Sequence, residues 1–328
     1  MDQTVTQQQC GYQAPGSEGC PGEALENGLC HWHDPTIIKD QAGDKEALEA
    51  WAKSGKSMRG FSLRHARLDD VFLVNKSADT GFDLRDADLN HAHFKGAHMY
   101  HIDLSGASMV KADFHEANLN NANMANCDLL GVNLHDAKVE HTQWGETILQ
   151  ERLAIESARK GNDSNRDNLE QAEEIYRNLR KHFESRGQFD LAGVYYYREM
   201  LMRRHQMPRW TTKWRLSWLM DYICGYGENP LRVVTFSLSF IFLCSLLYFM
   251  SGINSEEGRI IYQVESGVVE NFITFADCLY FSVVTFTTLG YGDLSPSGLV
   301  RLIAAVEAFI GSFTLALFVV VFVKKMTR

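Results

Sequence analysis

Apolar residues recur at every fifth position over much of the first half of the chain, a period that belongs to neither an α-helix nor an ordinary β-strand. Fifteen such positions run from Leu63 to Val139, with one break of six irregular residues before Leu84. A small or apolar residue precedes each of them by two positions, nine times alanine and otherwise Phe61, Val71, Phe82, Ile102, Cys127 or Val132. Both apolar positions of each repeat are therefore predicted to point inward.

The five-residue pattern resembles the pentapeptide-repeat family, whose fold is a right-handed quadrilateral β-helix with four repeats per coil. The unbroken block from Phe82 to His141 holds twelve repeats, which implies three coils, and the earlier repeats imply a fourth. The narrow interior of such a coil explains the alanines. Short helices at Lys45–Lys53 and Thr147–Lys160 are predicted to cover the open ends of the stack.

Histidines are concentrated on the outside of these repeats. Eight of the twelve in the chain occupy outward positions: His65, His91, His93, His98, His101, His115, His135 and His141. A pH-sensing face and an ordinary solvated surface both explain this placement.

Two apolar runs in the last third of the chain are long enough to span a bilayer. Val233–Met250 has 18 residues without a charge, and Leu302–Val323 has 22 with a single acid. Between them, Phe275–Thr287 is predicted to be a helix that begins at Thr274, because Asp277 follows three residues later as in a capping box.

The string Thr-Leu-Gly-Tyr-Gly-Asp at 288–293 lies between the two runs. Gly290 and Gly292 lack a Cβ and reach backbone conformations closed to other residues, so neighbouring carbonyls can turn toward one axis. A ring of such carbonyls replaces the water around a cation. The helix before the string directs its negative C-terminal end at the same place. A second Gly-Tyr-Gly, at 225–227, has a polar setting and is predicted to be a turn.

The region from Arg232 to the C-terminus, about 30% of the chain, resembles the two-transmembrane potassium-channel pore. The resemblance implies an all-α pore domain with a re-entrant pore helix and a filter that binds K⁺ through Thr288, Leu289, Gly290, Tyr291 and Gly292. It assigns support of the filter to Thr287, Asp293, Tyr280, Phe281 and Val284. Leu289 replaces the valine of the family pattern, and Val284 stands where some bacterial members have glutamate. Filter inactivation based on that glutamate is therefore not expected.

Two residues of the second apolar run have alternative explanations. Gly311 matches the gating-hinge glycine of the potassium-channel family, although close helix packing also explains a glycine at this position. Glu307 is the only ionisable residue inside a span. Such a residue marks either a functional site or a hydrogen bond to the pore-helix region of its own or a neighbouring subunit.

Charge around the apolar runs predicts how the chain crosses the membrane. Basic residues precede the first run and follow the second, whereas Ser251–Asn271 between them is acidic. Both termini are therefore predicted to be cytoplasmic, in a multi-pass protein of the plasma (inner) membrane that contacts its lipids. The polar start, Met1–Cys10, lacks the apolar core of a signal peptide, which agrees with this topology. One filter string supplies a quarter of the oxygens needed, so a homotetramer with cyclic symmetry is implied.

Three cysteines and two histidines are crowded near the N-terminus. Cytosolic thiols stay reduced, which favours a Cys₃His zinc site of Cys10, Cys20, Cys30 and His33 over disulfides. His31 is the alternate ligand. The segment has few apolar residues, so a metal would help it fold. Unpaired thiols in a loose tail are the other explanation.

The remaining segments complete the predicted organisation. An amphipathic helix after residue 168 and a second at Phe189–Arg204 form a hairpin similar to one tetratricopeptide unit, and tryptophans interleaved with basic residues resemble the slide helix of inward-rectifier-type channels. The predicted domains are residues 1–39, a zinc-binding segment; 40–60, a capping helix; 61–144, the β-helix; 145–207, a helical cap and hairpin; 208–228, an interfacial slide-like helix; and 229–328, the pore domain.

The leading hypothesis for function is a tetrameric potassium-selective channel with a cytosolic repeat domain for assembly or gating. A weakly selective cation channel and a non-conducting membrane-anchored scaffold are the alternatives. The net charge of −9 argues against a nucleic-acid partner, and attachment to a pore disfavours the DNA mimicry known from acidic pentapeptide proteins. Phosphate-binding loops and nucleophile elbows are absent from the sequence, so an enzyme is not expected.

Overall fold

A computed structural model describes residues 8–13, 19–76, 80–160, 165–255, 258–263, 265 and 267–327. Residues 1–7 and 14–18 of the predicted zinc-binding segment, and residues 161–164, lie outside the described residues. The chain divides into two units, Met1–Gln206 and Met207–Arg328.

The first unit is built around a stack of coils joined by parallel β-bridges. Most bridges join residues twenty positions apart, as Asp83 joins Asp103, so one coil takes four five-residue repeats. The bridges of the first coil join residues 26 positions apart, as Ser62 joins Asp88, because the six irregular residues are inserted there. Each coil therefore hydrogen-bonds the next along its length, and the five-residue period becomes a β-helix.

The interior of the stack contains the predicted inward positions. All fifteen repeat centres from Leu63 to Val139 are buried. Of the fifteen residues two positions earlier, fourteen are buried and Phe82 is half-buried beside the insertion. Phe94 and Phe114 stack with ring centroids 5.1 Å apart, one coil above the other. Burial of these side chains supplies the main stabilisation of the stack.

Half of the outward histidines are explained by the corners of the coils. Every fifth residue from Asp86 to His141 has a positive φ, and only three of these twelve are glycine. Asp, Asn and His are enriched in this left-handed region because their short polar side chains tolerate it. Four of the eight outward histidines occupy such corners, namely His65, His91, His101 and His141. This placement favours a structural role for them.

Side chains at the repeats also hold the corners in shape. The Asp113 carboxylate accepts a hydrogen bond from the His115 amide at 3.1 Å, and Asn118 accepts one from the Asn120 amide at 3.2 Å. The same bond recurs before other corners. Such Asx turns explain why Asp or Asn so often precedes a repeat centre.

Four helices complete the first unit: α1 (Asp44–Lys53), α2 (Leu149–Lys160), α3 (Asn165–Ser185) and α4 (Phe189–Gln206). Helix α3 packs against both α2 and α4. The buried carboxylate of Glu199 on α4 is paired with Arg177 at 3.2 Å, Arg180 at 2.9 Å and Arg203 at 3.3 Å. This pairing satisfies a charge that would otherwise be costly to bury.

The second unit contains α5 (Thr212–Cys224), a 3₁₀ turn (Gly225–Gly227), α6 (Pro230–Ser251), α7 (Val268–Phe286) and α8 (Val300–Met326). Helices α6, α7 and α8 pack against one another. Among the described residues, these three helices are long and apolar enough to cross a membrane. Gly225, Tyr226 and Gly227 form a turn with positive φ at each residue, as predicted.

A small antiparallel sheet, absent from the sequence prediction, lies beside these helices. Its strands are β1 (Ile253–Ser255), β2 (Gly258–Ile260) and β3 (Leu294–Pro296), in the order β2-β1-β3. Ile253 is opposite Ile260 on one side and Pro296 on the other. The sheet therefore joins the chain after α6 to the chain before α8.

The predicted start of the helix before the filter string is wrong. Helix α7 begins at Val268 after Gly267, so Thr274 and Asp277 lie inside the helix and do not form its N-terminal capping box. The residues from Val268 to Ile273 are compatible with a helix, and Gly267 provides an earlier place for the chain to enter it.

Candidate functional site

The predicted filter string lies between the C-terminal end of α7 and strand β3. The amide of Thr288 donates to the Thr285 carbonyl and the amide of Leu289 donates to the Val284 carbonyl, each at 3.0 Å. These two bonds close the last turn of α7 in a Schellman motif, with Thr288 in the left-handed position. Since β3 pairs with β1, the string is held at both of its ends.

Backbone conformation alternates along the string. Thr288 has a φ of 60°, Gly290 of 58° and Gly292 of 83°, whereas Leu289 and Tyr291 between them are not in this region. Alternation of handedness turns successive peptide groups the same way, so their carbonyls lie on one side of the string and their amides on the other. A positive φ is a genuine outlier for a β-branched residue such as Thr288, and strain of this kind is concentrated at functional sites.

The string is exposed within a single chain. The side chain of Leu289 is 59% exposed and that of Tyr291 is 68% exposed. A Cβ added to Gly290 or Gly292 would meet nothing within 4 Å. A single chain therefore leaves the backbone of the string uncovered by its own side chains.

The structure places the predicted support residues on α7 and around its end. Phe281 and Val284 are buried, and Phe281 meets Tyr248 of α6 edge to face at 4.9 Å. The Thr287 hydroxyl donates to the Val283 carbonyl at 2.7 Å. The side chains of Tyr280 and Asp293 lie beside each other. The structure thus places Thr287, Val284, Tyr280 and Asp293 beside the string and Phe281 where α7 packs against α6. Their role in supporting a filter stays a prediction.

Gly311 is a point of very close contact between α8 and α7. A Cβ at this position would lie 2.0 Å from the carbonyl oxygen of Phe286 and 2.8 Å from its carbonyl carbon. No side chain fits into that space, so packing alone requires glycine. The role of Gly311 as a gating hinge stays a prediction.

Glu307 connects the three long helices of the second unit. Its carboxylate is completely buried and accepts hydrogen bonds from the Ser282 hydroxyl of α7 and the Tyr248 hydroxyl of α6. The Ser282 hydroxyl also lies 2.9 Å from the Ile241 carbonyl of α6. Of the two alternatives for this residue, the structure shows the hydrogen bond to the helix before the string. The sequence analysis did not identify Tyr248 and Ser282 as partners of Glu307. The one available signal was Glu307 itself, because an acid within an apolar span implies a hydrogen-bonding partner.

The first unit contains the group of predicted metal ligands. Cys10, Cys20, Cys30 and His33 are buried, and their ligand atoms all lie within 4.8 Å of one another. Burial lowers the pKa of His33, so its ring is neutral at neutral pH. His31, the alternate ligand, instead places Nε2 3.2 Å from the Asp44 carboxylate. The structure therefore assembles the first predicted set and not the alternate one.

Comparison with protein families matches both halves of this description. Residues 80–109 and 107–143 match the model for pentapeptide repeats, with eight copies, and residues 256–328 match the model described as ion channel. The chain joins a pentapeptide-repeat domain to an ion-channel domain. The predicted fusion is confirmed, and the three long apolar helices make the chain a membrane protein. Neither family is typically enzymatic.

Solved structures give matches to other pentapeptide-repeat proteins. Rfr23 from the cyanobacterium Cyanothece 51142 is 18% identical, with 30% of this chain and 95% of that chain covered and a TM-score of 0.21. A pentapeptide-repeat protein from Nostoc PCC 7120 is 27% identical, with 31% and 84% covered and a TM-score of 0.19. HetL from Nostoc PCC 7120 is 22% identical, with 27% and 49% covered and a TM-score of 0.19. No curated protein matches the chain.

Proposed function

We propose that the chain assembles as a homotetramer that conducts K⁺ selectively through the string Thr288–Gly292. The observation that carries this proposal is the positive φ at every second residue, Thr288, Gly290 and Gly292. Peptide groups turned the same way provide a column of carbonyl oxygens, which is what a dehydrated K⁺ requires. The filter is therefore formed by Thr288, Leu289, Gly290, Tyr291 and Gly292.

The end of α7 adds an electrostatic contribution. The helix ends at Phe286, and Thr287 is the one residue between it and Thr288, where the chain leaves helical geometry. Its C-terminal end carries the negative pole of the helix dipole, which favours a cation beside Thr287 and Thr288. We assign α7 as a re-entrant pore helix, although it is long enough to span, because the filter must lie at membrane depth.

Exposure within one chain supports the oligomer. One string provides a quarter of the coordination that the filter needs, and cyclic symmetry supplies the rest. The same chain leaves Phe309 of α8 73% exposed and Phe313 59% exposed. Such apolar faces require lipid or neighbouring copies. Ion-channel domains of this type function as oligomers within lipid. Four copies around the filter complete the ion coordination, and together with lipid they cover the exposed apolar faces.

The rest of the chain fits a membrane protein with its repeat domain in the cytoplasm. Both termini are placed on the cytoplasmic side of the plasma (inner) membrane by the flanking charges. Helix α5 carries exposed Trp218 and Tyr222, as a helix in the membrane interface does. The pentapeptide-repeat domain, with its quadrilateral coils and the α3–α4 hairpin, assembles the subunits or transmits a gating signal.

Bi-ionic recording of the reconstituted full-length protein tests the proposal. The reversal potential should follow the K⁺ gradient and ignore the Na⁺ gradient. Gly290→Ala places a Cβ on a residue with a φ of 58° and should abolish the current while leaving the protein assembled. A reversal potential that follows both gradients would identify a weakly selective channel. No current from the wild type, or the same current from Gly290→Ala, would overturn the proposal.

A further inference from the structure

Four side chains near the N-terminus bring their ligand atoms within 4.8 Å of one another, and three of the six separations are close to those of a tetrahedral metal site. Cys20 and Cys30 place their sulfurs 3.7 Å apart, and Nδ1 of His33 lies 3.6 Å from the Cys10 sulfur and 3.2 Å from the Cys30 sulfur. Ordinary zinc bond lengths give tetrahedral edges of about 3.8 Å between sulfurs and about 3.5 Å between sulfur and nitrogen. All seven cysteines of the chain are free, so the three thiols are available.

The surroundings of His33 select the nitrogen that faces the sulfurs. Its Nε2 lies 3.0 Å from the backbone carbonyl oxygen of Arg59, which can only accept a hydrogen bond. Nε2 therefore carries a proton, and Nδ1 is the ring nitrogen that can present a lone pair beside the sulfurs of Cys10 and Cys30. Histidines that bind metals are commonly oriented in this way by a carbonyl. Tyr12 stacks on the ring at 3.9 Å and fixes its plane.

Backbone amides are directed at the sulfurs. The amide of Cys30 donates to the Cys10 sulfur at 3.2 Å, and the amide of Gly22 donates to the Cys20 sulfur at 3.4 Å. Such bonds stabilise thiolates more than thiols, because the acceptor is then charged. A Cβ at Gly22 would lie 2.9 Å from the Cβ of Cys30, so glycine allows this close approach.

The same segment covers the open edge of the first coil. Inside the stack, the amide of His93 donates to the carbonyl of Ala66 in the preceding coil at 2.9 Å. The first coil has no preceding coil. Its three equivalent amides have other acceptors: Ser62 donates to the Trp32 carbonyl at 2.8 Å, Arg67 to the Lys39 carbonyl at 3.0 Å and Phe72 to the Glu49 carboxylate at 2.8 Å.

Trp32 links the metal-binding group to this edge. It lies between Cys30 and His33 in the chain, its carbonyl accepts from Ser62, and its ring stacks on Phe61 at 5.6 Å. We propose that Cys10, Cys20, Cys30 and His33 bind one zinc ion through three sulfurs and Nδ1, and that this site holds the cap on the first coil. Uncovered edges invite pairing with other chains, so the metal also protects the stack from aggregation.

Metal analysis of the full-length protein, purified in detergent without chelators, tests the site. The wild type should contain about one zinc per chain. His33→Ala and Cys30→Ser should lose most of it. Matched controls are present in the chain: His31→Ala removes a histidine paired with Asp44, and Cys127→Ser removes a buried cysteine whose thiol donates to Leu104. Both controls should keep the metal.

A spectroscopic measurement on the wild type tests the metal site without the ligand variants, which is needed if those variants do not fold. Replacement of zinc by Co²⁺ should give the intense visible absorption of a tetrahedral site and the charge-transfer bands of thiolate ligands. A wild type that contains no zinc and gives no such spectrum would overturn the proposal. Zinc lost from His31→Ala but kept in His33→Ala would overturn the assignment of His33.

Hydrogen exchange tests the link between the metal and the cap. Chelation should speed exchange at the amides of Ser62 and Arg67 by about tenfold or more, because their acceptors lie in the metal-bound segment. The amide of Asn118, which donates to Ala97 inside the stack, is the internal control and should change little. Unchanged exchange at Ser62 and Arg67 after complete removal of the metal would refute the capping role.

Discussion

Two regions of this protein use the same rare backbone conformation with different periods. In the pentapeptide-repeat domain a left-handed residue recurs every five positions, and in the proposed filter it recurs every two. At a coil corner the left-handed residue donates to the adjacent coil, as the Asn121 amide donates to the Glu140 carbonyl at 2.9 Å. The filter string, by contrast, stays exposed in a single chain. With the five-residue period, the left-handed residues hydrogen-bond to other coils of the same domain. With the two-residue period, the backbone of the string stays exposed and can contact ions or neighbouring copies.

Residue choice follows from that difference. Corners accept Asp, Asn, His, Lys and Glu, because their side chains point into solvent and carry only the cost of the left-handed backbone. The filter uses glycine at two of its three left-handed positions, where ions and neighbouring copies must approach the backbone. The third position, Thr288, is the point at which the helix end and the filter overlap.

The largest expected effect comes from comparing two matched glycines. Gly292 in the filter has a φ of 83° and Gly227 in the second Gly-Tyr-Gly has a φ of 81°. A Cβ would meet nothing within 4 Å at Gly292 and only the Lys324 ammonium, at 3.9 Å, at Gly227. Both alanine variants therefore carry a similar strain of about 1–2 kcal/mol per chain. Gly292→Ala should abolish K⁺ current in reconstituted vesicles, whereas Gly227→Ala should keep it. Equal loss of current in both variants would show that the effect is not specific to the proposed filter.

The next effect concerns the internal bonding of the ion-channel domain. Glu307→Ala leaves the buried Tyr248 hydroxyl without its acceptor, at a cost of about 1–3 kcal/mol, and leaves Ser282 with only the Ile241 carbonyl. Glu307→Gln keeps one oxygen acceptor and should cost less. Thermal unfolding of the detergent-solubilised protein measures both. A glutamine variant as unstable as the alanine variant would point to a role for the carboxylate other than these bonds.

Gly311→Ala should have a smaller but clear effect on the same domain. The added Cβ would collide with the Phe286 carbonyl, and overpacking of this kind costs about 1–3 kcal/mol. Lower thermal stability of the variant, measured in detergent, is therefore expected. Unchanged stability together with altered opening in single-channel records would favour the hinge over the packing explanation.

The smallest expected effect lies at a corner of the coils. Asn121 has a φ of 59°, so Asn121→Ala should destabilise the stack by about 1 kcal/mol, whereas Asn121→Gly should leave it nearly unchanged. Hydrogen exchange of the neighbouring coil amides in the full-length protein measures the difference. Equal protection from hydrogen exchange in both variants would mean that the stability of the corners does not depend on how well a residue tolerates the left-handed conformation.

Much of the pentapeptide-repeat domain was predictable because its signal is local and repeated. Fifteen centres were predicted to be inward and all are buried, since each repeat has the same environment. Phe82 is the exception among the second positions, because the insertion interrupts the coil beside it. The corner histidines were not understood in advance, because their φ depends on where the coil turns.

The ion-channel domain was harder to predict in detail. The filter string was recognised through a resemblance, and its surroundings depend on contacts between distant residues. Strands of three residues, such as β1 and β3, are too short to leave a pattern. The start of α7 was misplaced because a capping-box spelling inside a helix looks the same as one at its end. The partners of Glu307 required the packing of three helices.

A stack of equivalent coils has no inherent length, since any coil can receive another on its free edge. Here the carbonyls of Trp32 and Lys39 and the carboxylate of Glu49 already occupy the three amides at which a further coil would begin. A second copy therefore cannot extend the stack of coils through this face.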